Sequence, residues 1–348
     1  MLAFSGIENT PIDNTDSDRT TATNNTMGGF TEEEGSLVLP DGTTLYTKSW
    51  KPEGTPRAIL AFYHGYSDHC NSFFEFFPNL ASSGFEVRSV DQRGWGRSVI
   101  NNRKLRGHFG STTAVMADLH FFLQSLIPFT KESSVPLFLM GHSMGGMNVL
   151  YYALNPESPY HHQQDSTPTT KVKVAGILSI APLITVHPSS QPSKIVEYAG
   201  RIAKLLMPRM TMVQKLQPTW ISKNPAVIDD LNNDKGVLFH NTGTLEGLAG
   251  MLDRGAWLNE CYKKTIREDY VYRGDVPPLW VGHGTDDRIT WFDSTKKLVE
   301  GLHFLEDTTF KEYKDASHKL MNEPDGVGDA MTKDVTEWLE ARLPKVDA

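Results

Sequence analysis

Gly141-His142-Ser143-Met144-Gly145 reads G-x-S-x-G. Before it runs Val135-Pro136-Leu137-Phe138-Leu139-Met140, apolar and of strand length. After it runs Gly146-Met147-Asn148-Val149-Leu150-Tyr151-Tyr152-Ala153-Leu154, which reads as a helix. Strand, sharp turn and helix around that pentapeptide are the setting of a nucleophile elbow. A serine on so tight a turn has strained backbone angles, and its neighbours need small side chains. The turn lifts the Ser143 hydroxyl to the top of a sheet, within reach of a histidine.

Outward from the elbow the elements alternate. Ser36–Leu39 and Thr44–Ser49 flank Pro40-Asp41-Gly42 and read as a hairpin. Ala58–Tyr63 is apolar throughout, as in a strand covered on both faces. A helix follows near Phe73–Ser82, then a strand Phe85–Val90 and a helix near Thr113–Leu126. Beyond the elbow come a strand Val174–Ile180, a strand Pro278–Val281, a helix near Ser294–Leu302, a strand Thr308–Tyr313 and a helix about Gly328–Leu343. This order predicts an α/β fold, a mostly parallel sheet with helices on both faces. Two stretches interrupt it. Residues 155–171 carry three prolines and read as a flexible surface loop, in which His161-His162 are exposed loop residues rather than metal ligands. Residues 185–259 are helical in pattern and read as a cap over the carboxyl edge of the strands, where open α/β sheets bind ligands.

Composition narrows the class. At 348 residues with 39% hydrophobic and 10% aromatic residues, the chain has material for a sizeable core. No apolar run reaches about 18 residues, so no membrane-spanning helix is expected. The first residues, Met1 to Glu8, lack a basic segment followed by a long apolar one, so no secretory signal is read. Cys70 and Cys261 read as free thiols, which fits a cytoplasmic protein. With no CxxC and no HExxH, no metal is implied. Of the net charge of −8, residues 1–34 carry −6. That segment reads as a disordered acidic tail. The remainder is near neutral, which makes nucleic acid an improbable partner.

A serine nucleophile needs a base, and the base an orienting acid. In this fold class they follow in the order serine, acid, histidine. Leu279–Arg288 is a strand running into a turn that offers two aspartates, Asp286 and Asp287. His318 lies in a loop of small residues after the strand Thr308–Tyr313. Among the other histidines, His283 reads as a space-filling residue at a strand end. His64 opens His64-Gly65-Tyr66-Ser67 after the strand Ala58–Tyr63, where a loop offers backbone N–H groups to an oxyanion. Tyr66 and Met144 are the donors read there, and His64 is structural. The glycines of Asp91-Gln92-Arg93-Gly94-Trp95-Gly96 lack a third in register for a nucleotide loop and read as a turn.

His64-Gly65-Tyr66, Asp91-Gln92-Arg93-Gly94, the elbow, Gly284-Thr285-Asp286-Asp287 and His318 together resemble the monoacylglycerol lipases, fungal-type, in the hydrolase-4 or serine aminopeptidase S33-like group of the α/β-hydrolases. Ala181–Pro188 and Leu206-Met207-Pro208-Arg209 look like the beginning of their cap. The resemblance covers residues 35–343. It implies an eight-stranded α/β-hydrolase fold divided as 1–34 tail, 35–184 core, 185–259 cap and 260–348 core. It implies Ser143 as nucleophile, His318 as base and Asp287 as acid, since the family's acid stands three residues after the glycine that Gly284 matches. Tyr66 and Met144 supply the oxyanion hole, and no cofactor is needed. The acidic tail and the 155–171 loop depart from the family pattern.

Within the cap, Ile195, Tyr198, Ile202 and Leu205 form an apolar stripe at helical spacing. Lys194, Arg201, Lys204 and Arg209 border it, against one acid, Glu197. Such a helix suits a membrane or lipid-droplet surface. The function expected is hydrolysis of monoacylglycerol to fatty acid and glycerol. Lysophospholipase, carboxylesterase or serine aminopeptidase activity are the alternatives, the last because Glu197, Asp229, Asp230, Asp234 and Glu246 could hold a free amine. A non-catalytic binding module is the weakest reading, since all three triad residue types are present. The pattern does not specify an oligomeric state.

Overall fold

The computed structural model describes residues 29–163, 166–167, 169–191, 194–261 and 276–344, with only the backbone for 194–199. The hairpin β1 (Phe30–Val38) and β2 (Thr44–Pro52) is antiparallel, register Phe30 opposite Pro52. Its turn places Gly42 at φ +84°, a conformation that suits glycine. The expected tail of 1–34 is therefore corrected at its end, because residues 30–34 are strand. The acids there are matched across the ladder: Glu32 meets Lys48 at 2.7 Å and accepts the Trp50 indole N–H at 2.8 Å, and Glu33 pairs with Lys51. Cross-strand pairing of opposite charges supports a strand that composition alone marked as unstructured. The rest of that tail lies outside the described residues.

Six more strands complete the main sheet. In chain order they alternate with helices: β3 (Ala58–Tyr63), α1 (Phe76–Ser82), β4 (Phe85–Val90), α2 (Thr112–Ser133), β5 (Leu137–His142), α3 (Met144–Leu154) and β6 (Gly176–Ile180). The segment after β6 holds α4 (Lys194–Leu206), β7 (Thr211–Val213), α5 (Pro218–Ile221), α6 (Pro225–Asn233), β8 (Thr242–Thr244) and α7 (Leu245–Cys261). The sheet resumes with β9 (Leu279–Gly284), α8 (Phe292–Gly301), β10 (Thr308–Tyr313) and α9 (Val327–Glu340). The strand order β1-β2-β4-β3-β5-β6-β9-β10 is that of an α/β-hydrolase. Only the β1–β2 and β2–β4 pairings in this sheet are antiparallel.

The period of two in a strand sorts β3 into two cores. Ile59, Ala61 and Tyr63 join the cluster beneath α2, α3 and α7. Ala58, Leu60 and Phe62 join the cluster beneath α1 and α9. Both faces are covered, so the run is apolar without alternation. The strand order reverses at β3, with β4 on one side and β5 on the other. Ligands bind outside the carboxyl ends of strands at such a switch point, and there His64-Gly65-Tyr66 and Ser143 emerge.

Three expectations change in detail. α2 runs seven residues past Leu126, through Pro128, to a left-handed cap at Ser134 (φ +54°). Proline's fixed φ fits a helix, and near an exposed end the lost backbone bond is met by solvent. The 155–171 loop has no helix or strand among its described residues, yet it is anchored rather than free. The buried Gln163 amide donates to Tyr160 O at 2.7 Å and accepts from Val172 N at 2.6 Å, and the His161 ring donates to Ala153 O at 2.9 Å. The segment read as helical in pattern also contains an antiparallel ribbon, β7 with β8.

Phe62 is fully buried, with its ring 4.6 Å from Phe73 and 4.7 Å from Phe77, centroid to centroid. Phe62→Ala should destabilise the fold by roughly 3–5 kcal/mol, measured by denaturant unfolding. A loss under about 1 kcal/mol would mean that this aromatic cluster repacks freely.

Candidate active site

Ser143 stands between the end of β5 and the start of α3 with φ +57° and ψ −119°. Non-glycine residues rarely adopt that conformation, at a cost of about 1–3 kcal/mol. Its neighbours show why the pattern needs glycine. A Cβ on Gly145 would run into the Tyr63 carbonyl of β3, and one on Gly141 into the Gly145 carbonyl. On Gly146 it would lie 2.9 Å from Ser179 Oγ and 3.0 Å from the Ile180 carbonyl of β6. The elbow is locked further by Ser143 N donating to Ile180 O at 2.9 Å, while Ser143 O accepts from Leu183 N at 3.1 Å.

His318 Nδ1–H donates to Asp287 Oδ2 at 2.7 Å, and both residues are buried. Asp287 Oδ1 accepts the backbone N–H of Ile289 (2.8 Å) and Thr290 (2.9 Å), and Oδ2 also takes the Thr290 hydroxyl at 2.7 Å. Burial opposes the carboxylate's charge. The imidazoles of His318 and His283 outweigh it and hold the carboxyl well below the usual carboxylate range. Asp286 points away: it pairs with Lys223 at 2.8 Å and lies 3.6 Å from Arg288, partly exposed. His283, read as space-filling, instead reaches Asp287 Oδ2 with Nε2 at 3.1 Å. The signal that could have found it is its position, four residues before the acid at the end of a buried strand.

The loop after β3 passes directly beside the elbow, since a Cβ on Gly65 would sit 3.0 Å from Ser143 Cβ. His64 shapes it. The ring accepts from Gln92 N at 2.9 Å through Nε2, so Nδ1–H donates to Gly65 O at 2.8 Å. Met144 is the first residue of α3, whose N–H has no partner within its helix. Tyr66 is held by the inserted segment: its hydroxyl donates to Asn241 O at 2.8 Å, and Asn241 N donates to Ser67 Oγ at 2.7 Å.

Ser143 opens onto two cavities. One, of about 540 Å³, is shared with His318, Tyr66, Asp68, Lys319 and Asn241. The other, of about 310 Å³, is mainly apolar, with walls from Leu183, Val186, Met212, Leu248, Met251 and Ile289. Of the apolar stripe read on α4, Ile202 (50% exposed) and Leu205 (77%) face solvent, and neither lines these cavities. The side chains of Ile195 and Tyr198 lie outside the described residues. Sequence pattern missed the walls from β7 and α7, because those residues are scattered along the chain. Cys70 and Cys261 are buried. Among the described residues, no group of three or more His, Cys, Asp or Glu could hold a metal ion, and no helix is long and apolar enough to cross a membrane.

The Hydrolase_4 family (serine aminopeptidase, S33) matches residues 54–325. The "Putative monoglyceride lipase" of Schizosaccharomyces pombe is 31% identical over 277 residues, 79% of this chain; that stretch spans 66% of the yeast protein's length. Monoglyceride lipase of Mus musculus is 24% identical over 318 residues, 90% of this chain and 92% of the mouse protein. A solved structure of a soluble variant of monoglyceride lipase from Saccharomyces cerevisiae, bound to a substrate analog, superposes with a TM-score of 0.77 at 22% identity. It covers 94% of this chain and 100% of that one, a likeness of fold.

Two buried histidines near the site set a pH limit. Burial first, then the charge on His318, pushes His142 down to about 3, and burial pushes His69 down to about 4. Unfolded, each titrates near 6.5. Between about pH 6.5 and 4 the unfolded chain therefore binds protons that the folded chain does not. Stability should fall as pH drops through that window, each histidine contributing up to about 1.4 kcal/mol per pH unit. Neither contributes above it. Urea unfolding across pH 4–8 checks this, and a flat profile from 6.5 to 4 would contradict the neutral, buried assignment.

Proposed function

Since the chain belongs to the Hydrolase_4 (serine aminopeptidase, S33) family of α/β-hydrolases, we propose that it is a serine hydrolase of monoacylglycerols. The observation that carries this reading is the buried 2.7 Å bond from His318 to Asp287, with His318 sharing a cavity with the strained Ser143. Ser143 Oγ attacks the ester carbonyl as His318 Nε2 takes its proton. The backbone N–H groups of Tyr66 and Met144 hold the oxyanion. Collapse breaks the ester C–O bond, His318 protonates the departing glycerol oxygen, and an acyl-enzyme remains. Water, deprotonated by His318, then releases the fatty acid and returns the proton to Ser143. No cofactor enters. Asp287 keeps the imidazole in the required tautomer and stabilises its protonated form.

The apolar cavity and the names of the relatives support an acyl chain as the recognised group. Among the described residues, Asp68 is the one acid lining either cavity, and it is paired with Lys319 at 3.2 Å. Asp229, Asp230, Asp234 and Glu246 line neither. Glu197 has its side chain outside the described residues; among those described a free amine finds no unpaired carboxylate there, which favours an ester over an aminopeptidase substrate.

Ser143→Ala and His318→Ala should each lower kcat by roughly 10⁴–10⁶, and the double variant little further, because the residues act as a unit. Asp287→Asn should cost on the order of 10⁴, and Asp286→Asn far less. Kinetics on a panel of monoacylglycerols, lysophospholipids and aminoacyl amides checks both reaction and substrate. Faster turnover of the amides would replace this reading.

We read residues 185–259 as the cap and its exposed edge as a lipid-docking face of a cytoplasmic enzyme. Leu205, Leu206, Met207 and Val213 are each more than half exposed. Arg201 is held by Asp253 at 2.6 Å and Lys204 lies 3.8 Å from it, so apolar insertion rather than their charge supplies the affinity. Ile202→Ser with Leu205→Ser should weaken vesicle binding and raise KM for dispersed long-chain monoacylglycerol. Turnover of a soluble short-chain ester should stay within about twofold, because the site lies on the core. Equal losses on both substrates would make this edge a packing surface.

A further inference from the structure

Asp287 receives five donors. Two backbone N–H groups meet Oδ1. His318 Nδ1, the Thr290 hydroxyl and His283 Nε2 converge on Oδ2. An ionised carboxylate offers about four lone-pair sites, so this one is saturated. Four of the donors have an evident place: His318 is the base itself, and the other three come from the Ile289–Thr290 turn that closes on the acid. The fifth does not follow from the turn. His283 reaches in from β9, a strand buried along its whole length. Its ring packs edge-on against Phe292, 5.8 Å between centroids.

The tautomer of His283 follows from its surroundings. Oδ2 only accepts, so Nε2 carries the proton. Among the described residues, Nδ1 is buried with no hydrogen-bond partner, so a proton there would be an unmet donor.

We propose that His283 is a positioning residue for the base, acting through Asp287: its Nε2–H bond aligns Oδ2 with His318 and lowers the basicity of that oxygen. The proposal rests on the serine-hydrolase reading above. When His318 takes the Ser143 proton, its bond to Oδ2 becomes charge-assisted and strengthens. A less encumbered carboxylate would bind the imidazolium more tightly and raise the base's apparent pKa. More of the enzyme would then be protonated and idle at neutral pH, and the proton would pass less readily to the leaving oxygen. The donor on Oδ2 limits this. Other groups also face His318. His142 of the elbow donates to His318 O at 3.2 Å with rings 4.7 Å apart, and Lys319 on its own loop pairs with Asp68 of the oxyanion loop. Glu323 accepts from Ser317 N at 2.9 Å. These stay constant when His283 alone is changed.

The test uses the full chain and three variants. Fluorophosphonate labelling of wild type at Ser143 first tests the site reading itself. If it fails, that reading falls and the His283 comparison does not arise. With labelling established, His283→Leu should lower kcat/KM about 10- to 100-fold, as lost support of a reacting group does elsewhere. It should also move the acidic limb of the kcat/KM–pH profile up by roughly half to one unit. His283→Gln, which keeps a donor within reach, should restore the limb to within about 0.2 unit of wild type. On an Asp287→Asn background, His283→Leu should change kcat/KM by less than about twofold. If His283→Leu does not accumulate folded, His283→Asn, whose amide stops short of Oδ2, carries the same pH measurement. An unmoved pH limb, or an undiminished loss on the Asp287→Asn background, would reduce His283 to packing and overturn the proposal.

Discussion

The arrangement depends on one constraint, the backbone of Ser143 held at φ +57° where three strands meet. That conformation persists only because its surroundings over-determine it. β3 and β6 press on the turn so closely that Gly145 and Gly146 have no room for side chains. Two geometric results follow. The hydroxyl is lifted clear of the sheet, and the first N–H of α3 is left free at the positive end of a helix. The lifted serine hydroxyl and the free helix N–H are thus products of a single strained turn at the point where the strand order reverses.

The partners of that turn come from distant parts of the chain and are tied to one another. The His318 loop and the loop after β3 share a buried ion pair: Lys319 bonds Asp68 at 3.2 Å, and Ser72 Oγ accepts a further Lys319 bond at 2.8 Å. Removing one member of such a pair costs about 3–5 kcal/mol, because the other charge is left buried and unmet. Glu323 performs a similar task between the insertion and the core. It accepts from Ser222 Oγ and Lys223 N on one side and Ser317 N on the other. Tyr66 and Ser67 are held from above by Asn241. The inserted segment is therefore bonded to both the His318 loop and the loop that carries Tyr66.

Behind the elbow lies an unusual anchor. Arg254 of α7 is buried, with its guanidinium donating to Asn148 Oδ1 of α3 at 2.9 Å and Thr112 Oγ1 of α2 at 2.9 Å. Burial pushes it down to about 10, still above neutral pH, so the charge is kept, and among the described residues its hydrogen bonds go to neutral oxygens. It fastens α7 to the helix that follows Ser143.

Much of this was legible in the amino-acid order, because local physics writes it there. Ala58–Tyr63, Phe85–Val90 and Thr308–Tyr313 are strands at the limits expected: the first is apolar throughout, the second alternates after Gly84, and the third is rich in β-branched and aromatic residues. The elbow announces itself because its strain demands glycines at fixed spacing. The hairpin's reach back to Phe30 was hidden, since its acids are neutralised by bases eighteen or so residues away. The choice between Asp286 and Asp287 needed the family resemblance, and the structure separates them by burial: one faces Lys223, the other His318. The cavity walls, the five donors on Asp287, the contact of His283 with it and the tie between Lys319 and Asp68 belong to the tertiary structure alone. Each joins residues whose separation in the chain carries no periodic signal, and only folding brings them within hydrogen-bonding distance.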